Sequence, residues 1–566
     1  MSIDSDLIER VQSWIAQDPD PITKSQLAEI LLAAESDNAA LSELQDAFSA
    51  PLEFGTAGLR GKLGAGPNRM NRVTVLQAAS GLAQYLVQEG FAGKKVVIGF
   101  DARYNSEIFA NDTALVMAGA GLQPIVFPHV VPTPVLAFAI RQQNACAGVM
   151  VTASHNPPQD NGYKVYLGDG RQIVSPVDEQ ISSLIKAVSD VREIIQVDAG
   201  TIVSDDVSNS YLARATQLIA SGPTSESERK SVTSVYTAIH GVGWKTLRSA
   251  LNDSGFLEPI AVPEQRDPDP AFPTVAFPNP EEKGALDIAI ALAKKNSVDV
   301  LLANDPDADR FAAAVPNAEG EWITLRGDQI GTLLGWWMIE RANLVGAKLS
   351  GTFANSIVSS MLLEAIAKSA GLKYVSTLTG FKWVSRVNNL VFGYEEALGY
   401  CVDPQHVSDK DGISAAAIFM ELMAHLKSRN STIWQVLDEL ALLHGLHETN
   451  QVSIRVTSSE QVAKTMRGIR SNPPKQLGEL QVIGTDDLAI GFGDLPKTDA
   501  VIIHLSGRNE IEKARVIIRP SGTEPKIKCY LEVVVSGEDL EIAQQIADNE
   551  LKHLASDAEP LLSGGN

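Results

Sequence analysis

The feature that most constrains the fold is a repeated alternation of short apolar runs with longer segments of helical spacing. The clearest runs are KKVVIGFD, ACAGVMVT, SVTSVYTAI, SVDVLLAND and NNLVFGYEE, and each is typical of a strand. Between them lie segments such as NDTALVMAGAGL, GALDIAIALAKKN and SMLLEAIAKSAG, whose apolar spacing and terminal glycines favour helices. Strands that alternate with helices of this length predict layered α/β units with parallel or mixed sheets.

The length of the chain and a change of pattern near its end predict several domains. A chain of 566 residues is too long for a single hydrophobic core. The last part differs, because ARVIIRPSGTEPKIKCYLEVVV indicates two strands around a polar loop and GEDLEIAQQIADNELKHLA indicates a helix. We therefore expect four domains, the first of which begins with a helical extension, at residues 1–200, 201–320, 321–440 and 441–566.

Charge and cysteine content narrow the classes of function. A formal net charge of −22 argues against a nucleic acid as the main partner. Cys146, Cys401 and Cys529 are far apart and form no CxxC pair, so a reducing cytoplasm fits best. The N-terminus has helical spacing and not that of a signal peptide, and no run of about 18 apolar residues predicts a membrane span. The tail SDAEPLLSGGN is expected to fray.

Four polar loops follow predicted strands, one in each quarter of the chain. They are TASHNP after Val151, DPDADR after Leu302, GYEEALGY after Phe392 and RPSGTEP after Ile518. Ligands of open α/β sheets gather beyond the carboxyl ends of the strands. The four loops are therefore predicted to converge on one cleft.

The DPDADR loop is a candidate site for a divalent cation. Asp305, Asp307 and Asp309 recur at every second position, so an extended loop can turn their carboxylates toward one hard cation. A solvated turn is the alternative. A calcium loop of the helix-loop-helix type is excluded, because that loop needs glycine and glutamate where this chain has Arg310 and Pro316.

Ser154 of the TASHNP loop has two interpretations. A serine hydroxyl is a weak nucleophile that needs a base, a metal or a preorganised site, and the GxSxG motif of hydrolases is absent around it. Ser154 could carry a phosphoryl group that a nearby cation neutralises during transfer. It could equally be a loop serine that caps a turn beside a proline.

The four motifs together, in this order, resemble the α-D-phosphohexomutase superfamily of phosphoglucomutases, phosphomannomutases and their relatives. The similarity extends from EFGTAGLRG, near residue 50, to about residue 535. It implies a four-domain, heart-shaped α/β architecture, with three similar mixed α/β domains and a smaller C-terminal α+β domain. It also implies a phosphoserine that gives its phosphoryl group to a sugar monophosphate and regains one from the resulting bisphosphate.

The resemblance also implies roles for individual residues. Its catalytic set is Ser154, His155, Lys164, Arg60, Arg310 and Lys382, with Lys382 as the acid/base. Mg²⁺ would be bound by the phosphate on Ser154 and by Asp305, Asp307 and Asp309. The substrate-binding set is Thr379, Gly380, Glu395, Glu396, Arg519, Ser521, Gly522 and Thr523.

The resemblance implies a sugar phosphate mutase but leaves its substrate open. The substrate is open because Ala397 stands where the common phosphoglucomutases have serine. Glucose phosphate is the first expectation, with mannose phosphate next and ribose or deoxyribose phosphate third. A hexose 1,6-bisphosphate is expected as activator or intermediate. The small-molecule sugar phosphate is the expected partner, without nucleic acid or membrane, and the protein could be a monomer or a dimer. A regulatory sugar phosphate-binding paralogue and a metal-dependent phosphatase are the alternatives.

Overall fold

The structure, a computed structural model, describes residues 3–55, 58–198, 201–202, 205–456, 458–493, 495–521 and 526–563. The chain divides into two compact units. The first comprises Met1–Leu325 and Gly399–His425, and the second comprises Arg326–Leu398 and Leu426–Asn566.

The helices of the described residues are α1 (Ser5–Gln17), α2 (Pro21–Ala33), α3 (Asn38–Ala47), α4 (Arg72–Gln88), α5 (Ser106–Gly119), α6 (Thr133–Gln142), α7 (Val177–Lys186), α8 (Asp205–Ala220), α9 (Glu226–Ser231), α10 (Gly243–Asp253), α11 (Asp287–Asn296), α12 (Gly327–Leu344), α13 (Leu362–Ser369), α14 (Phe381–Val384), α15 (Gly412–Ser428), α16 (Ile433–His444), α17 (Ser459–Ser471) and α18 (Leu540–Ser563).

The strands are β1 (Leu59–Lys62), β2 (Lys95–Phe100), β3 (Gln123–Val126), β4 (Ala147–Val151), β5 (Asp160–Leu167), β6 (Thr201–Ile202), β7 (Ser234–Thr237), β8 (Ile260–Ala261), β9 (Val300–Asn304), β10 (Phe311–Pro316), β11 (Trp322–Thr324), β12 (Thr352–Ser356), β13 (Lys373–Thr377), β14 (Leu390–Glu395), β15 (Gly399–Cys401), β16 (Leu446–Arg455), β17 (Gln476–Leu477), β18 (Leu480–Asp487), β19 (Val501–Leu505), β20 (Ile511–Pro520) and β21 (Lys526–Val535).

The first unit contains two mixed sheets. One has the strand order β1-β5-β4-β2-β3-β6, and the other has the order β11-β10-β9-β7-β8. In the first sheet β4, β2, β3 and β6 are parallel, and in the second β9, β7 and β8 are parallel. The fully buried β4 and β9 are each followed in the chain by an antiparallel partner, β5 or β10. The TASHNP and DPDADR loops therefore occupy equivalent places, where the chain leaves a buried strand and folds back.

Three helices precede the first sheet and pack against its core. Asp4 caps α1 by accepting a hydrogen bond from the backbone of Asp6, and Pro21 begins α2, where its missing N–H costs nothing. Leu7, Val11 and Trp14 are buried on one face of α1, as their helical spacing predicts.

The second unit contains a parallel sheet and an antiparallel one. Strands β12, β13 and β14 are parallel, and α12 packs closely on β14 because Gly331 has no side chain: a Cβ there would lie 2.5 Å from the ring of Tyr394. The later strands form an antiparallel sheet in the order β16-β21-β20-β19-β18-β17, and α18 packs against it. This succession of α/β sheets and a final antiparallel α+β region confirms the predicted fold class.

The expected fraying of the tail is wrong for most of its length. Helix α18 continues to Ser563, because Ala558 and Leu562 follow Leu554 at four-residue spacing and continue the buried face of the helix. Residues 564–566 lie outside the described part of the chain. None of the described helices is both long and apolar enough to cross a membrane.

Candidate active site

Ser154 lies in the loop between β4 and β5 and is only 3% exposed. Its φ of 52° is in the left-handed region, which is uncommon for a residue with a side chain. The Oγ atom donates a hydrogen bond of 2.8 Å to Asp305 Oδ2 and lies 3.1 Å from His155 Nδ1. The backbone N–H of Ser154 donates to Thr152 Oγ1 at 2.9 Å. The loop thus directs a buried hydroxyl at the neighbouring acidic loop.

Asp305, Asp307 and Asp309 form a buried cluster, and each has 0% exposure. One carboxylate oxygen from each lies within 4.8 Å of the others. Lys164 Nζ, on β5, donates to Asp307 Oδ2 at 2.6 Å and to Asp309 Oδ2 at 2.8 Å. Three acids at this separation repel one another unless positive charge lies among them.

Two oxygen atoms of this cluster have no hydrogen-bond donor among the described residues. They are Asp307 Oδ1 and Asp309 Oδ1, and both are buried. Buried carboxylate oxygens are rarely left without a partner, and hard divalent cations are bound by oxygens of this kind. The donor set therefore fits a cation such as Mg²⁺.

The pKa directions indicate that positive charge lies closer to Asp309 than to Asp305. Burial, with Asp307 and Asp309 nearby, raises the pKa of Asp305 well above its usual value. Burial acts in the same direction on Asp309, but Lys164 and Lys410 outweigh it and lower the pKa of that carboxyl. At neutral pH an added cation would favour full ionisation of the cluster.

Lys410 is a residue of this site that the sequence analysis missed. Its Nζ lies 3.2 Å from Asp309 Oδ2. The preceding residue, Asp409, is fixed by Tyr166 OH at 2.9 Å and by Gln172 Nε2 at 2.8 Å. The short DKDG segment has no spacing that predicts this contact, which joins positions about 100 residues apart, so only the folded chain reveals it.

Arg60, Arg310 and His155 surround the serine loop. Arg60 Nη1 donates to Asn156 Oδ1 at 2.9 Å, and the backbone N–H of Arg310 donates to Asp305 Oδ1 at 3.0 Å. Burial, with Arg310 and Arg60 nearby, lowers the pKa of His155 well below its usual value. The lowered pKa favours the neutral form of the imidazole, whose Nδ1 atom faces Ser154 Oγ.

The second unit holds the other predicted residues, and Glu395 ends β14 there. The backbone N–H of Gly380 donates to Glu395 Oε1 at 2.6 Å, so the glutamate and the TLTG turn are tied together. Glu396 is held differently, because its Oε2 accepts hydrogen bonds from Ser356 Oγ at 3.0 Å and from Ser359 Oγ at 3.2 Å.

Thr379 precedes Gly380 and Lys382 follows it by two positions, and both side chains are half-buried. The Nζ atom of Lys382 lies 5.8 Å from the centre of the Trp383 ring.

Arg519 follows the buried residues Val516, Ile517 and Ile518 of β20, and its side chain lies near the Tyr530 hydroxyl. Burial first, and Glu396 second, raise the pKa of Tyr530, whereas Arg519 opposes them. Ser521 follows, and its backbone N–H donates to Lys526 O at 2.7 Å. The predicted ligands Gly522 and Thr523 lie outside the described residues.

Models of one known protein family match most of the chain. The phosphoglucomutase/phosphomannomutase family models match in four parts: α/β/α domain I at residues 51–192, domain II at 209–320, domain III at 326–441 and the C-terminal domain at 508–549.

Curated relatives and solved structures match over most of the chain. A "probable phosphomannomutase" of Haemophilus influenzae is 44% identical over 494 residues, 86% of this chain and 97% of the relative. The human phosphopentomutase is 35% identical over 569 residues, 94% of this chain and 92% of the relative. The phosphoglucomutase pp63/parafusin of Paramecium has a TM-score of 0.67 at 18% identity, with 91% of this chain and 96% of that chain covered. The last likeness is one of fold.

Proposed function

Because the chain belongs to the phosphoglucomutase/phosphomannomutase family and is a sugar phosphate mutase of that family, we propose that it interconverts the 1-phosphate and the 6-phosphate of glucose or mannose. The phosphoryl group would pass through Ser154 and a bisphosphorylated sugar. The observation that carries this proposal is the 2.8 Å hydrogen bond that joins the Ser154 hydroxyl to the buried aspartate cluster.

The first unit supports the phosphoryl-transfer part of the proposal. The P–Oγ bond of phosphorylated Ser154 would break as a sugar hydroxyl oxygen bonds to phosphorus. Arg60 and Arg310 would supply positive charge for the transferring group. In the return step His155, whose Nδ1 lies 3.1 Å from Oγ, would accept the Ser154 proton.

Asp305, Asp307 and Asp309, with the phosphate on Ser154, would bind Mg²⁺. When bound, this ion supplies charge neutralisation for the transferring phosphoryl group. Lys164 keeps two of the aspartates ionised and in place through its hydrogen bonds to Asp307 and Asp309. Lys410 would add positive charge next to Asp309.

The residues of the second unit would bind and orient the sugar phosphate. Glu395, fixed by Gly380, would accept hydrogen bonds from sugar hydroxyls, with Glu396 and Thr379 close by in sequence. Arg519 would bind the non-transferring phosphate through its guanidinium group, together with Ser521, Gly522 and Thr523. Lys382 is proposed as the acid/base at the reacting hydroxyl, a role that requires a lowered pKa.

A phosphopentomutase is the second candidate. It is favoured by the 35% identity with the human phosphopentomutase over nearly the whole chain. The proposed chemistry would be the same, with ribose or deoxyribose 1-phosphate and 5-phosphate in place of the hexose esters.

A side-by-side assay separates these candidates. Purified protein with Mg²⁺ and a trace of hexose 1,6-bisphosphate would be assayed in parallel with glucose, mannose, ribose and deoxyribose 1-phosphate, each at the same concentration. The proposal expects the largest kcat/KM with a hexose, whereas a pentose preference would establish the second candidate. Phosphate release at the rate of isomerisation would instead indicate a phosphatase.

The matched control for this assay is Ser154→Ala, which removes one loop hydroxyl. Turnover of every sugar should be lost while the thermal midpoint changes little, because the hydroxyl contributes little to the core. A fully active Ser154→Ala variant would disprove the phosphoserine mechanism, and a wild-type protein that binds the sugars without turnover would indicate a regulatory paralogue.

A further inference from the structure

The side chain of Arg103 lies against the loop that carries Ser154. Its Nη2 donates to the carbonyl oxygens of Ser154 at 2.7 Å and Asn156 at 2.6 Å. Its Nη1 donates to those of Pro157 at 2.8 Å and Asp160 at 3.0 Å. One planar guanidinium group thus binds four main-chain carbonyls within seven residues.

Asp101, two residues before Arg103, fixes the position of Arg103. The residue is 4% exposed, and its backbone N–H donates to Asp101 Oδ1 at 3.0 Å. Asp101 Oδ2 lies 3.4 Å from Arg103 Nε, and Ser106 Oγ donates to Asp101 Oδ1 at 2.8 Å. A buried guanidinium that is paired and hydrogen-bonded in this way has a well-defined position.

The other face of Arg103 is covered by Phe272. The centre of the Phe272 ring lies 5.0 Å from Arg103 Cζ, which is a cation–π distance. Phe272 is 2% exposed and has a φ of 46°, a conformation that a bulky residue keeps only where its surroundings enforce it. Phe272 falls in the part of the chain that matches domain II, and Arg103 in the part that matches domain I. Domain II therefore covers the group that holds the serine loop.

We propose that Arg103, covered by Phe272, is a positioning residue for phosphoryl transfer. Its four hydrogen bonds fix the main chain at positions 154–160, so that Ser154 retains its left-handed φ and its Oγ remains directed at Asp305. Without them, Ser154 would relax toward the ordinary φ region, and its hydroxyl would move away from the aspartate cluster. The inference rests on the proposed function, because mutase turnover is its principal readout.

The variant Arg103→Lys tests this role, because one ammonium group has three donors and cannot span four carbonyls. A misplacement of about 1 Å costs on the order of 100-fold in rate, so we expect kcat to fall about 100-fold. The KM for the sugar phosphate should change by less than about twofold, because Arg103 is not among the residues proposed to bind the sugar phosphate. Phosphorylation of Ser154 by hexose 1,6-bisphosphate, followed by intact mass, should slow in parallel with kcat.

The matched control is Arg72→Lys. Arg72 lies in the same family domain and makes a bidentate ion pair with Asp112, at 2.7 Å through both nitrogens, away from the serine loop. A structural effect of losing a guanidinium would appear in both variants as a lower thermal midpoint. Only the loss of positioning lowers kcat per folded molecule.

Each outcome distinguishes the inference from the proposed function. An inactive wild-type protein would refute the proposed function, whereas an active wild-type protein with a fully active Arg103→Lys variant would overturn the positioning role. If Arg103→Lys does not fold, Phe272→Leu provides the test. It keeps Arg103 but removes the ring that packs on its guanidinium group, so the four hydrogen bonds should loosen and kcat should fall about tenfold at unchanged KM. Wild-type kcat in a folded Phe272→Leu variant would then overturn the inference.

Discussion

Each compact unit holds a buried group of acidic side chains, and the two groups differ in how their oxygens are satisfied. In the first unit, Asp307 Oδ1 and Asp309 Oδ1 have no donor among the described residues. In the second, Glu532 Oε1 accepts hydrogen bonds from Ser360 Oγ and Met361 N–H, both at 2.8 Å, and His447 Nδ1 lies 3.0 Å away. Burial is common to both groups, but completeness of hydrogen bonding is not.

The rest of the second group is also bound by protein donors. Arg515 donates to Glu532 Oε2 through Nε at 2.8 Å, and its Nη2 lies 2.7 Å from the same oxygen. Asp328 Oδ1 accepts from Ser360 N–H at 2.7 Å and from Tyr394 OH at 2.9 Å. These contacts link strands β14, β20 and β21 with the turn after β12.

The comparison shows that acidity and burial do not identify a cation site by themselves. In the second group protein donors bind the carboxylates, which therefore contribute to stability, whereas the first group brings three carboxylates together and leaves two of their oxygens available to a cation. We therefore expect variants of the first group to affect activity and variants of the second group to affect stability.

The largest expected effect is that of Asp307→Asn in the first group. The amide keeps the shape of the side chain but removes a negative ligand, so kcat should fall about 1,000-fold if the bound ion supplies several kcal/mol of charge stabilisation. The thermal midpoint should fall only modestly, because weaker repulsion among the three carboxylates partly offsets the weaker pairing of Lys164 with position 307. Kinetics over a Mg²⁺ titration and thermal unfolding measure both; an unchanged Mg²⁺ requirement would remove Asp307 from the site.

Glu532→Gln should have the opposite result in the second group. Burial raises the pKa of Glu532, but Arg515 and His447 outweigh it and lower the pKa to about 2 from a usual 4.5. A lowered pKa stabilises the folded state above pH 4.5, and this stabilisation is lost as the pH falls toward 2. The variant should therefore lose roughly 3 kcal/mol of unfolding free energy at pH 7.

Urea unfolding from pH 2 to pH 7 measures this difference. The gap between wild type and Glu532→Gln should close as the pH falls below 4.5, while kcat per folded molecule at pH 7 changes little. The exposed Glu510→Gln provides the control. A constant gap across this range would show that the charge of Glu532 is not responsible.

Asp328→Asn should sharpen the comparison within the second group. Burial is the main reason that the pKa of Asp328 is raised to about 7, and Glu396 and Glu532 add to it. A raised acid pKa means that the folded state holds a proton that the unfolded chain has lost, so stability decreases as pH rises from 4 toward 7. Between pH 5 and pH 7 the unfolding free energy of the wild type should fall by about 2 kcal/mol more than that of the variant. Equal pH slopes in the two proteins would contradict this assignment.

The smallest expected effect is that of Ser359→Ala. Ser359 contacts both Glu396, next to the predicted sugar ligand Glu395, and Arg515 of the second group. Ser359 Oγ donates to Glu396 Oε2 at 3.2 Å and accepts from Glu396 N–H at 3.0 Å, and Ser359 O accepts from Arg515 Nη2 at 2.5 Å. Loss of the hydroxyl should cost about 1 kcal/mol of stability. A several-fold rise in KM would show that the same contact orients Glu396, whereas an unchanged KM would limit Ser359 to stability.

The fold and the centre of the site were accessible from the sequence for a physical reason. Apolar runs of five to eight residues mark buried strands, and the polar loops that follow them lie at one edge of each sheet. The spacing of Asp305, Asp307 and Asp309 brought these carboxylates together within a single turn, and the resemblance placed Ser154 beside them.

The contacts that hold the site in shape were not accessible in this way. Lys410 and Arg103 are single basic residues without periodicity, and their contacts depend on chain segments far apart in sequence. His447, the second residue of β16, has its Nδ1 atom 3.0 Å from Glu532 Oε1, 85 positions away in sequence, and no local pattern predicts this contact. Local patterns predict elements and short motifs, but long-range pairing of isolated charges requires the fold.

Arg103 binds the serine loop through four main-chain carbonyl oxygens. Every residue type supplies that acceptor, so this anchor is indifferent to the side chains of the loop. A side chain such as that of His155 could therefore be exchanged while Arg103 still holds the backbone path of the loop. The residue that holds the loop is thus different from the residues that would carry out its chemistry, so the side chains of the loop can change without a change of the anchor.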